Sequence, residues 1–343
     1  MNRFNKILAF AMVSWGIMAG NASALISIDT VAVGNAGNPN DTTGYGSVGY
    51  TYGIGTYEVT LSQYCAFLNS VAASDTYSLY NVNMGVNANI AGITRSGVSG
   101  SYTYSVTGSG SRPVTYVSWY DSARFVNWLQ NGQPTGGETA ATTEQGAYTL
   151  NGAMSGIISR NTDVLFGLPT ENEWYKAAYY QPAAQGGDTD GYWLYPTARN
   201  TQPNSRNGSA SDPNSANFLY DDGIVNGMNG GYAVSQLPTY YSTQQYLTGA
   251  GAFSLAHSFY GTYDQGGNVW EWNDGVIGSN RGERGGSWAN LFTSMGSGNR
   301  GSAGPSSETS SLGFRIVTIP EPGVMGFLAL GIALLAWNRK RTL

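Results

Sequence analysis

Apolar positions recur with a helical period in three places, and each place opens on a capping signature. After Thr60, residues Leu61, Tyr64, Cys65 and Leu68 fall at i, i+3, i+4 and i+7, one face of a helix. Gln63 lies three residues past Thr60, which completes a capping box. Ser118 and Asp121 repeat the signature ahead of Trp119, Ala123, Val126 and Leu129. Thr170 and Glu173 do so ahead of Trp174, Ala177 and Ala178. Glu171 and Glu173 read as first-turn carboxylates facing the positive end of the helix dipole, in preference to a catalytic acid pair.

Strand composition appears at 26–33 and again at 50–59, separated by a Gly-, Asn- and Thr-rich loop. Residues 86–111 alternate Tyr and Val among Gly and Ser, as a hairpin or a long loop. Residues 131–147 read as a polar excursion on the surface, and 181–262 carry almost no periodic pattern. So long an irregular stretch in a compact domain marks a functional or ion-stapled region. The pattern predicts a loop-rich fold.

The two ends carry addresses. Residues 1–24 have a basic start (Arg3, Lys6), an apolar run and a small-residue site at Ala22-Ser23-Ala24, the plan of a secretory signal peptide. At the other end Pro320-Glu321-Pro322 precedes fifteen apolar residues (323–337) and the cluster Arg339-Lys340-Arg341. This tail, 319–343, resembles a PEP-CTERM sorting signal. The resemblance implies an exosortase-type processing protease as partner, with transient anchoring in the inner membrane through the C-terminal segment. The destination it implies is the periplasm, cell surface or extracellular matrix. A simple tail anchor is the alternative. Between the ends, 25–318 is long enough for one large domain or two small ones.

Composition narrows the function. Charged residues make up 11%, against roughly 25% in ordinary globular chains; 48 Gly and 24 Tyr stand in their place. Aromatic content of 13% supplies enough burial to exclude disorder. Losing the five basic residues of the two ends leaves 11 of the 16 Lys and Arg against 21 Asp and Glu. A chain this acidic lacks the clustered cations that phosphate neutralisation needs, so no nucleic-acid partner is expected. One cysteine forms no internal disulfide. On the buried stripe of the first helix, Cys65 behaves as a small hydrophobe with a raised pKa, not as a nucleophile.

The densest stretch spans 264–315. It holds Gly-Gly-Asn-Val-Trp-Glu-Trp (266–272), Arg-Gly-Gly-Ser-Trp (284–288) and Leu-Gly-Phe-Arg (312–315). With Leu-Pro-Thr-Glu-Asn-Glu-Trp (168–174), Tyr-Glu-Val-Thr (57–60) and Arg-Pro-Val-Thr-Tyr-Val-Ser-Trp (112–119), these motifs resemble the formylglycine-generating enzyme, or sulfatase-modifying factor, family. The resemblance implies a C-type-lectin-like α+β fold. It also implies an activity, oxidation of a sulfatase cysteine to formylglycine, for which the family holds copper on two cysteines just past Gly-Gly-Ser. Those positions here are Asn290 and Met295. Copper(I) takes soft thiolates, and an amide with a thioether does not replace a thiolate pair. Relatives of the ergothioneine type use a histidine-ligated iron, and His257 is the chain's one histidine. Neither copper nor iron is therefore expected, nor catalysis of either kind.

The family's calcium positions map onto Asp264, the carbonyls of Gly267 and Val269, and Glu271. A second set maps onto Asn217, the Phe218 carbonyl, Asn226 and the Met228 carbonyl, with an amide where a carboxylate is usual. Carboxylates and carbonyls suit a hard cation, so calcium is the expected cofactor. In an extended 269–271 stretch, Glu271 shares a face with Val269 while Trp270 turns away. The alternative pairs Glu271 with an arginine, Arg284 or Arg315. The expected function is an exported binding or matrix-associated protein with an exopolysaccharide or an envelope protein as partner; the alternative is a metal-dependent oxidoreductase with non-standard ligands. Tyr179, Tyr180, Tyr192, Trp193 and Tyr195 are candidate contact aromatics.

Overall fold

The computed structural model describes residues 25–205, 212–220 and 231–319. All three capping boxes close. The Thr60 amide donates to Gln63 Oε1 at 2.9 Å, and Thr60 Oγ1 accepts from the Gln63 amide. The helices are α1 (Leu61–Val71), the single turn α2 (Asn83–Val86), α3 (Trp119–Gln130) and α4 (Glu171–Tyr179). The strands are short: β1 (Thr30–Val33), β2 (Tyr52–Gly55), β3 (Ile93–Ser96), β4 (Thr103–Val106), β5 (Phe166–Gly167), β6 (Leu219–Tyr220) and β7 (Gly231–Tyr232). They continue with β8 (Trp270–Ile277), β9 (Asn280–Arg284), β10 (Gly301–Ala303), β11 (Leu312–Phe314) and β12 (Val317–Thr318).

Two four-stranded sheets organise the domain, in the orders β1-β2-β12-β5 and β10-β9-β8-β11. The first is antiparallel throughout; in the second, β11 runs parallel to β8 with Gly313 opposite Glu271. The chain passes from the second sheet to the first between β11 and β12, so Arg315 sits at the junction. The main core lies against α1 and α3. Phe125 meets Phe67 and Phe314 edge-on, each at 5.4 Å between ring centres, and Trp272 is buried in the same cluster with its Nε1 donating to the Val117 carbonyl.

Both predicted N-terminal strands are shorter than the pattern suggested. At the end of β2, a side chain at Gly55 would meet the Tyr57 carbonyl at 2.8 Å, so the ladder gives way to a turn before α1. Residues 86–111 form the β3–β4 hairpin after α2. The 131–147 excursion does not stay on the surface. Its π-helical turn, Ala140–Glu144, buries Thr142, Thr143 and Glu144, because the Glu144 carboxylate receives Arg124 from α3 at 2.7 and 3.0 Å. Among the described residues, no helix is long and apolar enough to cross a membrane; the signal-like and sorting-like ends, 1–24 and 320–343, lie outside them.

Candidate functional site

The 264–315 motifs converge where α4 packs against β8. The 264–268 turn needs unusual backbone: Asp264, Gly267 and Asn268 all have positive φ. Gly267 is obligatory there, since a Cβ would lie 2.3 Å from the Asn217 carbonyl oxygen. That carbonyl receives the Asn268 amide at 2.7 Å, and the Gly267 amide reaches Gly285. Gly285 and Gly286 of the next turn also have positive φ, so the two glycine motifs lock together through their backbones.

Glu271, fully buried, lies at the centre. Arg315 grips it with two parallel bonds, Nε to Oε2 at 2.5 Å and Nη2 to Oε1 at 2.6 Å. Trp174 Nε1 donates to Oε2 at 2.7 Å. Arg315 also donates to the carbonyls of Gly55 at 2.8 Å and Tyr263 at 2.9 Å, which ties both sheets to the 264 turn. Arg284 takes a different carboxylate, Glu171, shared with Arg300. Of the two arginines weighed from the sequence, Arg315 is therefore Glu271's partner.

Two further carboxylates face this pair. Glu58 Oε1 accepts from Asn268 Nδ2 at 3.1 Å, while its Oε2 is buried with no hydrogen-bond partner. Burial first, then Asp264, holds the Glu58 carboxyl well above its ordinary range. Burial pushes Asp264 up to about 6 although the Gly251 amide and Arg315 oppose it. Glu58 was not singled out from the sequence; the signal was a charge set between Tyr57 and Val59 at a strand-to-helix junction.

Val269 is buried on the same face of the chain as Glu271, and Trp270 turns to the opposite side, as the two-residue period predicts. Asn217 is buried, its Nδ2 directed at Tyr246 O, Thr248 Oγ1 and Asn268 Oδ1; Phe218 is in a small core with Tyr195 and Met295. Asn226 and Met228 lie outside the described residues. Among those described, no group of three His, Cys, Asp or Glu side chains is arranged to hold a metal ion.

Asn290 and Met295 have structural employment. Asn290 Oδ1 accepts from Trp270 Nε1 at 2.8 Å and Ser287 Oγ at 2.6 Å, pinning the Gly-Gly-Ser turn to β8. Met295 is fully buried, and its carbonyl receives the Tyr179 hydroxyl at 2.9 Å. Cys65 is buried, with its thiol pushed up by that burial. His257 is exposed, its Nδ1 2.8 Å from the Ser258 carbonyl. Of the five candidate contact aromatics, Tyr179, Tyr180, Tyr192 and Tyr195 are core, because each ring packs around α4 or beneath Met295; Trp193 keeps partial exposure.

Fold and motifs together define a loop-rich mixed α/β domain whose glycine turns, tryptophans and buried Glu–Arg pair form one unit. The sulfatase-modifying factor enzyme 1-like domain matches residues 45–319, and the chain belongs to that family. Solved structures similar to it include CarF, at 22% identity and TM-score 0.48, covering 87% of this chain and 100% of that one. Treponema denticola variable protein 1 is 19% identical with a TM-score of 0.43, covering 87% and 97%. PvdO from Pseudomonas aeruginosa is 16% identical with a TM-score of 0.39, covering 86% and 92%. No curated protein matches the chain.

Proposed function

We propose that this protein is an exported, non-catalytic binding or matrix-associated member of the family, built on a C-type-lectin-like scaffold. The observation that carries the reading is the use made of the two positions where the family places its copper thiolates. Asn290 is a hydrogen-bonded brace and Met295 a core side chain. A hard amide oxygen and a neutral thioether do not fit copper(I) at a thiolate site, so no oxidative step is derived through it. The signal-like start and the sorting-like tail supply the export part, with an exopolysaccharide or envelope protein as the partner class.

Calcium enters the proposal through charge balance. Glu58, Asp264 and Glu271 face a single Arg315, and one oxygen of Glu58 is buried without a partner. Of the positions expected to hold calcium, Glu271 has both oxygens on Arg315; one hard cation held by Asp264, the carbonyls of Gly267 and Val269 and, in place of Glu271, Glu58 would offset that excess. Calcium at millimolar concentration is then expected to raise the melting temperature above that in chelator; identical melting in both removes calcium from the reading.

The catalytic half is tested with a cysteine-containing sulfatase peptide, copper(I) and oxygen, followed by mass spectrometry. The peptide is expected to keep its thiol. Conversion of that cysteine to formylglycine would overturn the proposal.

A further inference from the structure

An open groove of about 340 Å³ is lined by neither Glu271 nor Arg315. Its walls come from three loops distant in sequence, around Asp41, across 188–194 with Asn200, and at 297–298. This volume is at the lower end of the range for small-molecule sites.

The polar groups of the groove are pre-set by the core behind it. Asp41 is nine-tenths buried and receives the hydroxyl of Tyr175 from α4. Tyr192 holds the two long loops together: its hydroxyl donates to the Pro39 carbonyl at 2.7 Å and accepts from Asn38 Nδ2 at 2.7 Å. The Tyr192 amide in turn fixes Asp190 at 2.9 Å. Asp188 is oriented by Asn200 Nδ2 and the Thr189 amide; those bonds hold its carboxyl below the usual range, so it is charged at neutral pH. Trp193 is anchored through Nε1 to Gln181 Oε1 at 2.9 Å and through its amide to the Tyr179 carbonyl. The groove is built before any ligand arrives, which lowers the ordering cost of binding.

Its charge is the informative part. This chain has few charged residues, and among the described ones Glu144, Glu171, Glu173, Glu271 and Asp274 are drawn into ion pairs with arginine. Among the described residues, Asp41, Asp188 and Asp190 have no such pair, and no Lys, Arg or His lines the groove. Asp188 and Asp190 accept hydrogen bonds from hydroxyl and ammonium donors, and with Asp41, whose oxygens already receive Thr42, Thr43 and Tyr175, they repel uronates, sulfates and phosphates. Trp193 adds an indole, which takes the apolar face of a sugar ring or a cation. Thr42, Thr43, Asn200 and Ser297 both donate and accept, as ring hydroxyls require.

We infer that this groove binds a saccharide carrying free amino groups, such as a de-acetylated hexosamine chain. The inference rests on the binding reading above and names its ligand class. It fails separately from that reading, because the formylglycine test does not depend on the groove.

Titration calorimetry of the full-length protein with a glucosamine tetramer tests it. Binding is expected, weakening about tenfold when salt is raised from 50 to 500 mM, since Asp190 is exposed and Asp188 partly so. The N-acetylated tetramer is expected to bind at least about tenfold more weakly, having lost its ammonium groups. Asp188→Asn with Asp190→Asn, and separately Trp193→Ala, should each weaken binding about tenfold or more while leaving the melting temperature in place. No heat at millimolar tetramer, or equal affinity for wild type and the double variant, overturns the inference. So does a tetralysine peptide that binds as tightly as the sugar, since it would reassign the groove to peptides.

Discussion

Replacing Arg315 by methionine removes the charge that neutralises the centre of the domain and keeps its bulk. The variant loses two bonds to Glu271 and two to the carbonyls of Gly55 and Tyr263. It leaves three carboxylates facing one another with no cation. Breaking a fully buried pair from one side costs about 3–5 kcal/mol. The orphaned carbonyls push the figure toward the upper end, so about 4–5 kcal/mol is expected. For a domain of this size each kcal/mol is worth roughly 2–4 °C, which places the melting temperature about 10 °C or more below wild type. Arg95→Met is the comparison. Its pair with Asp75 is partly exposed, with 30% of the arginine side chain accessible, and about 1 kcal/mol is expected there. Urea unfolding followed by tryptophan fluorescence measures both. Adding Glu271→Gln to Arg315→Met should return part of the loss, a coupling of about 2 kcal/mol in the double-mutant cycle. If Arg315→Met costs no more than Arg95→Met, or if the two changes at the pair simply add, the centre is not held as described.

Three further outcomes follow from the same geometry. Gly267→Ala should cost at least about 2–4 kcal/mol, because the added Cβ meets the Asn217 carbonyl and the residue sits at φ +82; circular dichroism melting reads it. Thr60→Ala removes one half of the α1 capping box and should cost about 1 kcal/mol. Glu283, on β9, is pushed up to about 7 by burial. Its raised pKa favours the fold below the unfolded value and loses that contribution as pH rises through 7. Glu283→Gln should therefore gain about 1 kcal/mol at pH 8, after discounting for partial exposure, and nothing at pH 4; equal gains at both pH values would contradict the assignment.

What the sequence made legible was local. The helices could be placed because each capping box lies within four residues and brings its own hydrophobic stripe. The family could be read because its motifs are contiguous and in order. Pairings across the chain were another matter. Glu271 faced two candidate arginines, and the parallel β8–β11 register that favours Arg315 involves only three residue pairs. Residues 131–147 read as surface because most are polar or glycine, yet Arg124 draws Glu144 inward; nothing near Glu144 in sequence announces that partner. The groove was invisible for the same reason, as Asp41 and Asp188 are 147 positions apart and meet only through Tyr175 and Tyr192. Of the tyrosines offered as surface contacts, Tyr192 braces the groove and the Tyr179 carbonyl holds Trp193, with both rings buried. In a chain this poor in charge, much of the charge is interior: Arg124, Arg281, Arg284 and Arg315 are all fully buried. Composition alone gives no hint of that, since it records how many charges there are and not where they lie.

At the two positions that the family resemblance assigns to copper thiolates, this chain carries a hydrogen-bonded brace, Asn290, and a core side chain, Met295. Copper stoichiometry is the measurement that bears on them. The purified protein is loaded with excess copper(I) under reducing conditions, desalted and submitted to elemental analysis. A copper-to-protein ratio near zero is the predicted result, and a ratio near one, retained through desalting and abolished by Met295→Leu, would contradict the account.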